Sequence, residues 1–181
     1  MIVPEPDRAH IRKTVSGRGL DLEELREDER SETWNVTVVV DGDEGVSLDA
    51  LAELSIALDP LAETWGGAER PVTLEVTSRG VDAPLEELRH WRRAHGRQVD
   101  IDYVEGATGP ARGRVGDLEE ATGKVRVVSK TARGIRVDSV ALTDVARAVI
   151  RVEFRPAPQG EMDLLSESDA SGRGVREGEN Q

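Results

Sequence analysis

VTLEVTSRGVDAPL, residues 72–85, changes its pattern halfway, and that change divides the chain. Val72, Leu74 and Val76 alternate with Thr73, Glu75 and Thr77, as in a strand with one face buried. Thr77-Ser78-Arg79-Gly80 then reads as a turn in which Gly80 supplies a positive φ. Asp82-Ala83-Pro84 reads as a helix start, with Asp82 as N-cap and Pro84 in the first turn, where no N–H is missed. The stretch is therefore expected to be a strand, an ordered turn and a helix start joining two unlike halves.

Upstream, a short helix is expected over Asp7–Val15, stopped by Ser16-Gly17-Arg18-Gly19, followed by a strand over Leu20–Glu27. The β-branched run WNVTVVV, Trp34–Val40, should be the central strand of the first sheet. Asp41, Asp43, Ser47 and Asp49 alternate like calcium ligands. Glycine falls fifth rather than sixth in that loop, however, and Ala52 stands where a bidentate glutamate is needed, so a turn into a helix capped by Ser47 is the better reading. Leu48, Leu51, Leu54, Leu58 and Leu61 then recur at helical spacing, with Pro60 expected to end or bend the helix and Trp65-Gly66-Gly67-Ala68 expected to be loop.

Downstream, Leu85, Leu88 and Trp91 mark the apolar side of a helix that begins with Glu86 and Glu87, ends with Arg89, Arg92 and Arg93, and stops at Gly96. Five short alternating runs follow: Gln98–Val104, Ala111–Leu118, Lys124–Ser129, Ile135–Val140 and Val149–Phe154. Five strands after one helix predict a small closed barrel of the SH3 or Sm type. Residues 156–181 offer little to bury and are expected to be disordered and dispensable, so that cutting after Arg155 would leave stability unchanged.

The chain has no cysteine, which is compatible with a reducing cytoplasm, and no apolar run near the roughly 20 residues that span a bilayer, so it is expected to be soluble and unsecreted. Its net charge of −12 is unevenly spread: residues 1–90 carry −12, 91–155 carry +4 and 156–181 carry −4. Arg92, Arg93, Arg97, Arg112 and Arg114 open the basic region, and they are the candidates for contact with RNA. With only Trp91 and Tyr103 nearby, such contact should be to phosphate or shape rather than by stacking. His90 and His95 are five apart, which spoils a same-face metal pair on a helix. Ser78 lacks a G-x-S-x-G elbow and a nearby histidine, so Thr77 and Ser78 are expected to serve the turn rather than catalysis. No cofactor or metal is expected.

The segment EVTSRGVDAPL resembles the pattern EVSSPGxDRPL of the ribosome maturation factor RimP family. The resemblance continues through LRHWRRAHGRQVDI and AVIRVEF, includes VVVDGDEGVSLDALAELSIAL upstream, and covers roughly residues 7–155. Arg79 stands where the family usually has Pro, and Ala83 where it usually has Arg; Arg79→Pro is accordingly expected to be tolerated. The resemblance implies an α+β chain. An N-terminal α/β sandwich domain (helix, strand pair, helix, strand) would span 1–88, a C-terminal Sm-like β-barrel 89–155 and an acidic tail 156–181. It marks Thr77, Ser78, Gly80, Asp82, Pro84 and Leu85 as the inter-domain motif. It further implies a monomeric, cytoplasmic, non-catalytic assembly factor that binds the free small ribosomal subunit and assists entry of ribosomal protein S-twelve. A stand-alone Sm-like RNA-binding regulator is the alternative, distinguished by tight binding to isolated single-stranded RNA.

Overall fold

Trp34, Val36, Val38 and Val40 line one side of their strand and are all essentially inaccessible, so alternation in the sequence becomes the core of the first half of the chain. The computed structural model describes residues 2–29, 33–65 and 71–165. These form α1 (Glu5–Ser16), β1 (Asp21–Asp28), β2 (Trp34–Asp41), α2 (Leu48–Trp65), β3 (Val72–Ser78), α3 (Leu88–Arg93), β4 (Gln98–Tyr103), β5 (Arg112–Glu119), β6 (Lys124–Thr131), β7 (Gly134–Ala141), β8 (Val145–Ile150) and α4 (Gln159–Asp163). The chain divides into two units, Met1–Gly80 and Val81–Gln181, ahead of the boundary expected at residue 88.

In the first unit β2 is central, antiparallel to β1 and parallel to β3. The parallel pair needs a crossover, and α2 supplies it. Ser47 Oγ accepts from the Ala50 N–H at 3.1 Å, capping α2 as its sequence predicts. Leu54 and Leu58 are buried, with Leu51 and Leu61 packed beside them, whereas Leu48 lies outside the core. Pro60 does not end the helix. Its missing N–H orphans the carbonyl of Ile56, a residue on the exposed side where water can serve. The last turn is instead held by Trp65: its ring lies 5.7 Å from that of Trp34, and its Nε1–H donates to Asp7 Oδ2 at 2.7 Å. Trp65 is thus helical rather than loop; the rest of that expected loop, residues 66–68, lies outside the described residues.

The join differs from its sequence reading in three ways. Thr77 and Ser78 are the last residues of β3, in register with Val39 and Val40, and not part of a turn. Gly80 is absent from the glycines of positive φ, which include Gly19 and Gly96, so it needs no left-handed backbone. Asp82 caps no helix: Pro84 bridges Val149, and the Leu85 N–H donates to the Ala148 carbonyl at 2.8 Å. That donor and the burial of Leu85 in the second core tie the segment to β8, so the helix starts only after Glu87.

The second unit is an antiparallel five-stranded sheet of order β7-β6-β5-β4-β8. Val99, Ile101, Val115, Val125 and Val127 form its core together with Trp91 and Leu85. Among the described residues no ladder joins β7 to β8, so the expected closure into a barrel is not made by hydrogen bonds. β8 begins at Val145 rather than Val149, after a 3-10 turn at Leu142–Asp144, and Phe154, expected at its end, is almost wholly exposed. The expected disorder from residue 156 does not hold through 165. α4 forms there, and Glu161 and Leu165 are buried. Residues 166–181 lie outside the described residues.

Candidate nucleic-acid interface

The five candidate arginines arise from three neighbouring pieces of the second unit. Arg92 and Arg93 end α3, Arg97 follows the Gly96 turn, and Arg112 and Arg114 lie on β5. Gly96, at φ +78, turns the chain so that its N–H donates to the Val115 carbonyl at 2.8 Å while Val115 N–H donates to the Arg97 carbonyl at 2.9 Å. This stitching sets Arg97 beside β5.

Exposure then separates the five. Arg92 and Arg97 are exposed, Arg92 meeting Glu120 across 3.2 Å in a solvent-facing pair that contributes little to stability. Arg93 is half-buried and has interactions of its own. Arg112 is exposed and paired with Asp100, opposite it in the β4–β5 ladder. The Arg112 hydrogen bond, reinforced by Arg151, holds the Asp100 carboxyl below the usual aspartate range.

Arg114 is a different kind of residue. Its side chain is 1% exposed, and its guanidinium makes four hydrogen bonds: Nη1 and Nη2 donate to the two Glu153 oxygens at 2.8 and 2.7 Å, Nε donates to Glu161 Oε2 at 2.9 Å, and Nη1 also reaches the Gly96 carbonyl at 2.9 Å. Lys130 Nζ completes the network 3.2 Å from the other Glu161 oxygen. The bidentate bond from Arg114 lowers the Glu153 pKa, and the same carboxylates raise that of Arg114. A guanidinium so buried and held by two carboxylates is a structural centre and not a free phosphate contact. Arg114 therefore leaves the list of directly available RNA contacts in this structure.

The partners that define this network, Glu153 and Glu161, were not legible beforehand. They lie 39 and 47 residues along the chain from Arg114, and no local periodicity connects them. The one usable signal was the apolar group Met162, Leu164 and Leu165 after Pro158, an unusual concentration for a solvated tail.

The histidines do not assemble a site of their own in the second unit. His90 is buried, and its Nδ1 accepts the backbone N–H groups of Glu86 and Glu87 at 3.1 and 3.0 Å, closing the first turn of α3. His95 lies 3.4 Å from Asp117 at the surface. A cleft of about 510 Å³ opens at the ends of β5, β6 and β7, with Arg112, Lys130 and Arg136 on its walls beside Asp138 and Asp144. Tyr103 also lines it; burial, with the nearby Asp138 and Asp144 charges, raises its phenol pKa, and its hydroxyl donates to the Pro110 carbonyl at 3.2 Å.

In the inter-domain motif, Arg79 is anchored within the first unit. Its N–H donates to the Val40 carbonyl at 3.2 Å and its Nε lies 3.5 Å from the largely buried Glu23 carboxylate. Comparison with known families places the first unit: a model described as the RimP N-terminal domain matches residues 10–82.

Proposed function

We propose that this chain, whose residues 10–82 match the RimP N-terminal domain, is a ribosome maturation factor of that family and a non-catalytic assembly factor for the small ribosomal subunit. It binds the free subunit and assists entry of the basic ribosomal protein S-twelve. The family match is the observation that carries this reading, and charge supports it. The acidic first half suits the approach of a basic protein, while the exposed cations Arg92, Arg97 and Arg112 in the second unit suit phosphate. On this reading the second unit is an Sm-like fold that contacts S-twelve, and the protein works as a cytoplasmic monomer. No helix among the described residues is long and apolar enough to cross a membrane.

Sedimentation of a cell extract tests the proposal. The protein should migrate with free small subunits, and immature subunits lacking S-twelve should accumulate when it is depleted. Migration at the top of the gradient under all salt conditions, with normal S-twelve content after depletion, would rule the proposal out.

A further inference from the structure

The outer face of the five-stranded sheet is covered by the chain's own C-terminal segment, and the contacts reveal what that face is built to hold. Val128 is buried yet stands apart from the core formed by Val125 and Val127, as alternation along β6 requires if a second layer covers the other face. Arg114 lies opposite Val128 in the β5–β6 ladder, and Arg126 and Lys130 share that face of β6. Residues 156–165 form the second layer. Glu161 inserts its carboxylate between Arg114 and Lys130, the Leu164 carbonyl accepts from Arg126 at 3.3 Å, and Leu165 packs over Gly116, where an added Cβ would stand 3.4 Å from its Cδ2.

The covering segment is therefore an anionic ligand seated on a cationic face. Its withdrawal would leave Arg114 paired with Glu153, a neutral unit, while Arg126 and Lys130 lost their Leu164 and Glu161 contacts. The uncovered face would gain positive potential without leaving a bare buried charge beneath it. We infer that this face is a second RNA-binding surface, for the phosphate backbone, and that residues 156–165 occupy it in cis as a competing strap. The inference rests on the RNA half of the proposed function and adds to it a contact surface and its regulation. Phosphate suits the site because Arg126 and Lys130 stand on one face of β6, two cations spaced along a strand as phosphates are along a nucleic-acid backbone, with the Arg114 charge neutralised by Glu153.

Hydrogen exchange on the intact protein, with and without a saturating single-stranded oligouridylate, reads the competition directly. Amides of 159–165 should lose protection when the oligonucleotide binds, while those of β5 and β6 keep theirs. A second test uses the full-length E161Q/L165A variant, which should bind the same oligonucleotide at least fivefold more tightly. Adding R126Q and K130Q should remove that gain and flatten the log-log salt slope by roughly 1.4, at about 0.7 per lost phosphate contact on a single strand. Unchanged protection of 159–165 at saturation would overturn the inference, as would a loosened variant that melts cooperatively and binds no more tightly. If the parent binds small subunits but the oligonucleotide never disturbs the strap, the inference falls alone; if subunits are not bound either, the function proposal falls with it.

Discussion

Arg79 shows how far one side chain can move a family expectation. Its N–H is spent on the Val40 carbonyl and its guanidinium faces Glu23, so Arg79→Pro removes a backbone donor and leaves a largely buried carboxylate without this partner. We expect a loss of about 1–3 kcal/mol in chemical denaturation, against the tolerance that the family's usual proline suggests. Equal midpoints for variant and parent would show that the turn does not depend on this donor. The glycines divide in the same way. Gly96 holds φ +78, so Gly96→Ala should cost about 1–2 kcal/mol, more than Gly80→Ala, since Gly80 has no left-handed backbone to lose. Sequence could name both as turn residues, but φ at a glycine depends on where the following chain is tied. Gly96 is tied to Val115, and the segment after Gly80 to Ala148.

Among the elements, those with a strong private pattern were readable. β2 carries an unbroken β-branched run and α2 a leucine face, and both formed, α2 running on past Pro60 to Trp65, because local preference and burial agree. The misread elements are those whose conformation is set by distant partners: Leu85 by β8, Trp65 by Trp34 and Asp7, and α4 by Arg114. α4 gives the clearest consequence. With Leu165 1% exposed, Leu165→Ala should destabilise the second unit by about 2–3 kcal/mol, and cutting after Arg155 should lower its melting temperature rather than leave it unchanged. The salt-bridge network adds a pH signature. Arg114 depresses the folded pKa of Glu153 below its ordinary 4.5, so the stabilisation is present above about pH 4.5 and is lost as pH falls through the depressed value. Glu153→Gln should therefore be less stable at neutral pH and lose less stability on acidification; parallel pH profiles for variant and parent would refute the coupling.

For the whole molecule, the α+β composition and the likeness of residues 10–82 to the RimP N-terminal domain were legible, because the strand patterns and the acidic first half are written locally. The candidate interface was legible only in part. Crowded arginines look alike in sequence, and only folding separated the exposed Arg92 and Arg97 from Arg114, buried between two carboxylates. The proposed function makes that difference measurable: an exposed cation, even in a weak solvent-facing pair such as Arg92–Glu120, can trade its partner for phosphate and release counterions, whereas one buried between carboxylates cannot. The decisive measurement is the affinity for purified free small subunits across a salt series, for the parent and the R92Q/R97Q variant. Two lost phosphate contacts should weaken binding and flatten the log-log slope by roughly 1.4–1.8, with affinity for isolated S-twelve preserved. The same subunit affinity and the same slope in both proteins would contradict the account.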